Sequence, residues 1–489
     1  MRINFYKACL IFFSLLEFGR VSAQQNHTMY LMYYLPESNL LNPAVPISCK
    51  WYIGIPVLSS VHLNYANSSF SYNTLFNRTG NGSYATDVDN LVRHLHYRNY
   101  IGTELHLQLF ALGYRKGDYS FVFTITEKNN LAITYPKEPA MLIWKGNTQF
   151  EGKDAGFKGT GLFFNHYREY ALAASKRSNS GIYYGLRAKL LFGKMNISTK
   201  TANINLNTDD TFFNLTFNGQ LQANTSLPII MDISDNQIND VYYNDNVSAA
   251  QLMLNRKNPG FAIDAGIVYP YSDKIEISAS IVDLGFIRWR SNLNTLNANG
   301  EFFYDGPMGD TAQTTTDNYF SDLLNSFTDS MNLEAYQQKY TTFLPTRILG
   351  GAIYQINDKV SAGVQGEALF YKTKILPSLT LSAQVEPISN LHFIASYSLQ
   401  YYSLKSFGLG FVLGRNPVQF YVISDDVPAM IWPLSAKNIN LRFGLNINLG
   451  CKIKDSSKGS GSGKGQLKGN CYWLEKQIQK EYERSKRRR

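Results

Sequence analysis

Seven histidines, His27, His62, His94, His96, His106, His166 and His392, are the side chains of this 489-residue chain best suited to chemistry. A hydrolase would need one of them beside a nucleophilic serine and an orienting acid or amide. His392 has Ser396 and Ser398 on its own face, but serines recur on every alternating segment, and an interior hydrogen-bonding histidine is the favoured reading. His94 and His96 stand close together in "NLVRHLHYRNY", where Asp89 is the nearest acid and no cysteine is near. They read as surface or loop histidines rather than metal ligands. "GSGSGKG" (Gly459–Gly465) carries a lysine but lacks the lead and the Ser/Thr of a phosphate loop, and reads as a flexible linker. No catalytic, cofactor-binding or metal-ligating residue is assigned, and the chain is read as non-enzymatic.

The elements that must hold these residues are strands. In "KNINLRFGLNINLG", Ile439, Leu441, Phe443, Leu445, Ile447 and Leu449 alternate with Asn438, Asn440, Arg442, Gly444, Asn446 and Asn448. A strand points successive side chains to opposite faces, so one face here is greasy and the other wet. Fifteen such segments are expected, near 51–65, 99–114, 118–128, 155–176, 180–197, 210–224, 259–270, 274–290, 342–356, 358–371, 374–386, 391–402, 404–414, 416–424 and 436–450. The polar faces carry mostly Asn, Ser, Gly and Gln with single charges, which suits a lumen better than the bulk-water face of a β-sandwich. The predicted fold is all-β, a single antiparallel transmembrane barrel of about fourteen strands, sixteen being the other even count. Ile439, Leu441, Phe443, Leu445, Leu449, Leu186, Leu190, Phe370, Phe393 and Leu409 should face lipid. Arg187, Lys189, Glu276, Glu367, Arg442 and His392 should face the lumen.

Residues 1–23 have the basic start, short apolar core and small-residue end of a signal peptide. Residues 24–50 form an irregular segment or plug before the barrel of 51–450. "NNLAITYPKEPAMLIWKG" (Asn129–Gly146) reads as helix-like and broken by prolines. In the long loop 305–341, Phe320, Leu323, Leu324, Phe327 and Met331 recur at helical spacing. The formal charge of +10 is local: residues 451–489 hold twelve Lys/Arg against four Asp/Glu, whereas 24–450 carries 32 of each. That balance excludes nucleic acid as a partner of the barrel body. The tail reads as a linker and a short basic helix in the periplasm, able to meet envelope proteins, peptidoglycan or anionic lipid. Cys49 precedes the first strand and Cys451 follows the last, so a closed barrel should bring them to one rim. Cys471 is the rival partner for Cys451.

Four stretches, "NLLNPAVP" (Asn39–Pro46), "WYIGIPVLSS" (Trp51–Ser60), "SIVDLGFIRW" (Ser280–Trp289) and "YTTFLPTRILGGAIYQI" (Tyr340–Ile356), carry a family resemblance. Over about 24–450 the chain resembles a Bacteroidota outer-membrane barrel family of unknown function. It is similar to the fatty-acid-transporter type of barrel and, more distantly, to PorP/SprF-like barrels of type IX secretion and gliding. The resemblance implies an outer-membrane protein and supplies no catalytic residues. The first expectation is an envelope scaffold, favoured by the basic tail. The alternative is a transporter of hydrophobic small molecules, which predicts an apolar pocket of several hundred Å³ inside the barrel. A third, an envelope hydrolase, requires a serine or aspartate within hydrogen-bond reach of a histidine.

Overall fold

The computed structural model describes residues 26–451 except 79–82, 212–213, 235–236, 305–325, 327–328, 372–373, 389, 401–402 and 415. The expected signal segment, nearly all of the basic tail with Cys471, and the helical stripe Phe320–Phe327 lie outside the described residues. Fourteen antiparallel strands close on themselves. They are β1 (Trp51–Gly54 and Val61–Asn67), β2 (Arg98–Lys116), β3 (Tyr119–Pro136), β4 (Gly161–Arg177), β5 (Tyr183–Thr208), β6 (Pro259–Pro270) and β7 (Ile275–Trp289). There follow β8 (Thr346–Gln355), β9 (Val360–Tyr371), β10 (Lys374–Ile388), β11 (Leu391–Gln400), β12 (Ser403–Leu413), β13 (Val418–Ser424) and β14 (Asn438–Leu449). Each pairs with the next, and β14 returns to β1 with Trp51 opposite Leu449 and Leu63 opposite Leu441. Closure gives every one of these strands a partner on both sides, which is what lets strands cross a bilayer. No helix among the described residues is long and apolar enough to cross a membrane.

Short turns join the strands at the end of the barrel that carries Cys49 and Cys451; the long connections leave the other, here called the loop end. The alternation decides the faces. Leu186, Leu190, Phe370, Phe393, Leu409, Ile439 and Leu449 are exposed on the outer wall, and Leu441, Phe443 and Leu445 are half-buried there. Arg187, Lys189, Glu276, Glu367, Arg442 and His392 are buried inside. An outer belt of Leu, Ile, Val and Phe around a polar interior is the signature of a membrane barrel.

Three segments differ from the sequence expectation. Asn129–Pro136 is strand, not helix, because it pairs residue for residue with Arg98–Leu105 of β2; a helix, Lys137–Lys145, starts only after Pro136. The segment near 210–224 is no wall strand. Leu215–Ser226 pairs with the far half of β5 and with Leu293–Tyr304, forming a ribbon that rises above the loop end. The end of the 305–341 loop is extended, with strands Glu334–Tyr336 and Tyr340–Phe343, and Met331 packs against Ala298 and Phe302.

The N-terminal segment packs inside the lumen. Met29, Tyr30, Leu31, Met32, Leu35 and Val45 are buried against inward-facing Tyr183, Val282, Leu349, Ile394, Val412 and Tyr421. Each such side chain contributes roughly 1.5–3 kcal/mol of burial, so the plug is held chiefly by apolar packing. Toward the loop end the lumen holds further apolar groups, with Tyr167, Leu191, Ile287, Trp289 and Tyr340 on one wall and Tyr100, Leu369 and Leu376 on another. Between these apolar zones lies a layer of charge.

Candidate functional site

The plug turns tightly through "NLLNPAVP". Asn39 donates from Nδ2 to the Val45 carbonyl (2.7 Å), and Asn42 Oδ1 accepts from the Ala44 amide (3.0 Å). Asn favours such turns because its side chain bonds nearby backbone, and Pro because its ring presets φ. The turn is pressed into a notch made by Gly185 of β5 and Gly266 of β6, which are cross-strand partners. A Cβ on Gly185 would lie 2.2 Å from the Ala44 nitrogen and Pro43 carbonyl, and one on Gly266 would lie 2.1 Å from Asn42 Oδ1.

Charged side chains clamp the turn from above. Arg187 donates to the Leu40 carbonyl (3.1 Å), the Asn39 carbonyl (2.7 Å) and Asn39 Oδ1, and pairs with Asp264 (3.1 Å). Lys189 reaches Asp264 (2.8 Å) and Asp283 (2.6 Å), and Lys128 reaches Glu169 (2.8 Å). Burying these ions is costly, and the layer persists because each cation faces an anion and a hydrogen-bond partner. At the start of the plug, Asn26 Oδ1 accepts from Nε and Nη2 of Arg442, and His27 pairs with Glu367 (3.3 Å). Glu37 Oε1 accepts from Asn446 (2.7 Å) and the Tyr52 hydroxyl (3.1 Å). Burial pushes the Glu37 carboxyl up to about 7, against the pull of those donors and of Arg442.

The serines on the His392 face are bonded to other hydroxyls. Tyr34 of the plug stacks on His392 with ring centroids 4.0 Å apart. Ser396 Oγ is bonded to Thr28 Oγ1 (2.7 Å) and Ser398 Oγ to Thr380 Oγ1 (2.8 Å). His166 meets Glu127 (2.6 Å), which also takes Arg168. His94 is exposed, its Nδ1 2.8 Å from the Asn90 carbonyl. What the sequence reading missed is a pair of lumen rows visible only through register. Arg442, His62, His106 and Lys128 face one another across four adjoining strands, and Asn440, Asn64, Glu104, Asn130, Asn165 and Asn196 do so across six.

The wall is broken at β13, which has only seven residues. Its ladders stop at Leu409 opposite Ser424 and at Ile423 opposite Arg442, leaving β12 and β14 to run on toward the loop end. Residues 425–437 cross that breach as a short helix, Val427–Ile431, and a turn. Side chains close the gap: Ser406 Oγ donates to the Asp425 carbonyl and Ser424 Oγ to the Asn440 carbonyl, each at 2.7 Å, and Asp425 Oδ1 accepts from the Thr28 amide (2.9 Å). Irregular backbone at membrane depth is tolerated only where such partners exist. Met430, Ile431, Trp432 and Leu434 are exposed, and Met430 with Val427 bounds an apolar groove of about 470 Å³. The groove's floor includes Val385, Phe393, Leu409 and Phe411. These share the face opposite to buried Ile394 and His392, so the groove lies on the outer wall, not in the lumen where the transporter reading placed its pocket. The cavity in the charged layer is only about 60 Å³ and is lined by Lys128, Glu169, Lys189, Asp283 and Arg442.

These features define a plugged, fourteen-stranded membrane barrel. Residues 43–425 match a family of unknown function (DUF5723), and the chain belongs to that family. No curated protein matches the chain. Among solved structures it is similar to the toluene transporter TbuX of Ralstonia pickettii, at 9% identity over 85% of this chain and 94% of that one, with a TM-score of 0.42. It is also similar to the toluene transporter TodX of Pseudomonas putida, at 8% identity over 85% and 92% with a TM-score of 0.37. A FadL homologue of Pseudomonas aeruginosa is 10% identical over 85% and 94%, with a TM-score of 0.37.

Proposed function

We propose that the protein is a non-enzymatic outer-membrane barrel that takes up apolar small molecules, receiving them at the groove beside the break in β13. The observation that carries this reading is the groove itself. It has the size of a small-molecule site, its lining is almost wholly apolar, and it adjoins a wall strand that stops after seven residues. An axial route is unfavourable for such a cargo, because the plug packs inside the lumen and the layer above it is ionic. The scaffold reading rests on the basic tail, which lies outside the described residues, so the alternative reading is preferred. Ala395→Trp tests it by filling the groove without adding charge. Cells carrying this variant should insert the barrel normally yet accumulate a radiolabelled aromatic hydrocarbon at least about tenfold more slowly than wild type, the discrimination a built pocket supplies. Equal uptake by the two would refute the assignment.

A further inference from the structure

His62 of β1 and His106 of β2 are directly opposite one another, with ring centroids 5.3 Å apart. Glu104 lies two residues before His106 and therefore on the same lumen face. One donor atom from each of the three lies within 4.8 Å of the others. We propose that His62, Glu104 and His106 form a site for a divalent transition metal of the zinc class, fastening β1 to β2 beside the seam.

Two imidazoles and one carboxylate are a ligand set that zinc takes, with water in the fourth position. Magnesium and calcium prefer oxygen throughout, which sets them aside. Ligands about 2.0–2.2 Å from zinc stand about 3.3–3.6 Å apart in a tetrahedron, so modest side-chain rotation closes the site. His106 Nε2 is 2.8 Å from Asn130 Oδ1, a contact that leaves the Nδ1 lone pair for a metal. Asn440 stands 3.2 Å from His62 Nε2, and its amide can present nitrogen or oxygen there. Such outer partners orient metal-bound imidazoles. His106 also borders the 60 Å³ cavity, room enough for a water ligand. Of the flanking cations, Lys128 is met by carboxylates, whereas Arg442 is held by neutral partners and sets a Coulombic cost that the Glu104 carboxylate offsets. Arg442 is engaged by Asn26 and Ser60 (2.8 Å from Nη1), and Lys128 by Glu169 and Asp283.

This assignment stands independently of the apolar-ligand reading. The test uses the full-length barrel without a histidine tag, purified in mild detergent and stripped with a chelator. Zinc is titrated by calorimetry and cobalt(II) by visible absorption. We expect one equivalent of either metal, with cobalt bands of a four-coordinate N/O site. His62→Ala and His106→Ala should each abolish stoichiometric binding, Asn130→Ala should weaken it about 10–100-fold, and His94→Ala should leave it unchanged. Heat-dependent gel migration reports whether each variant still closes; the wild-type titration decides the matter if a variant does not. Absence of stoichiometric binding to folded wild type, or its survival in the double variant His62→Ala/His106→Ala, overturns the proposal.

Discussion

Cys49 and Cys451, 402 residues apart, form a disulfide with their Cα atoms 4.2 Å apart. The bond sits two residues beyond the Trp51–Leu449 rung, so it latches the strand seam at the turn end. Such a bond endures in an oxidising compartment, as an exported barrel would meet.

Removing the latch should lower the temperature at which the barrel opens in detergent. Cys49→Ser and Cys451→Ser should cost the same, on the order of 2–4 kcal/mol, and the double variant should cost no more than either. Heat-modifiable gel migration reads this directly. Unequal single effects would mean that one cysteine has another partner.

Gly185 is where the plug depends on a missing side chain. Gly185→Val places methyls in the space of Pro43 and Ala44, so the barrel should still insert while its plug is displaced. Limited proteolysis should then cut within residues 26–50, and single-channel conductance should rise. A plug still protected would show that the Gly185 notch is not what seats it.

Phe443 and Arg442 are neighbours on opposite faces of β14. Phe443→Arg puts a charge on the lipid face and should cost roughly 2–4 kcal/mol at mid-depth, impairing insertion. Arg442→Leu should insert normally but loosen the plug's first residues, because Asn26 loses both guanidinium bonds. Comparison of membrane-inserted fractions, with proteolysis of the plug, separates the two.

The face of nearly every strand was legible because a two-residue period and one apolar face leave little freedom. The same logic brought Cys49 to Cys451. Register was not legible: nothing in "VHLNYAN" and "TELHLQL" alone says that His62 meets His106 rather than Gln108, so the rows across the lumen appear only in the folded barrel. Asn129–Pro136 misled because its apolar run was read by its prolines, while its pairing with β2 decided the outcome. The end of β13 was legible, since the expected segment 416–424 stops at Ser424 as the strand does; that β12 and β14 run on past it shows only in the pairing.

Glu37 gives the plug a pH dependence. Its carboxyl is raised from 4.5 to about 7 by burial, so the docked plug binds more protons than a released one between those values. Docking should therefore weaken as pH rises from about 4.5 to 7 and level off above, by on the order of 3 kcal/mol across the window. Glu37→Gln should flatten the profile. A wild-type plug whose protease protection strengthens over that range would reverse the sign and contradict the assignment.

The groove beside β13 should be a saturable site for apolar molecules. Photolabelling of the barrel in lipid vesicles with a diazirine-bearing aromatic hydrocarbon, with and without excess unlabelled hydrocarbon, tests it most directly. Labels should concentrate on Val427–Ile431, Phe393 and Leu409, be competed away by excess hydrocarbon and be lost in Ala395→Trp. Labelling spread evenly over the outer belt, including Leu186, Leu190 and Phe261, and indifferent to competitor would contradict it.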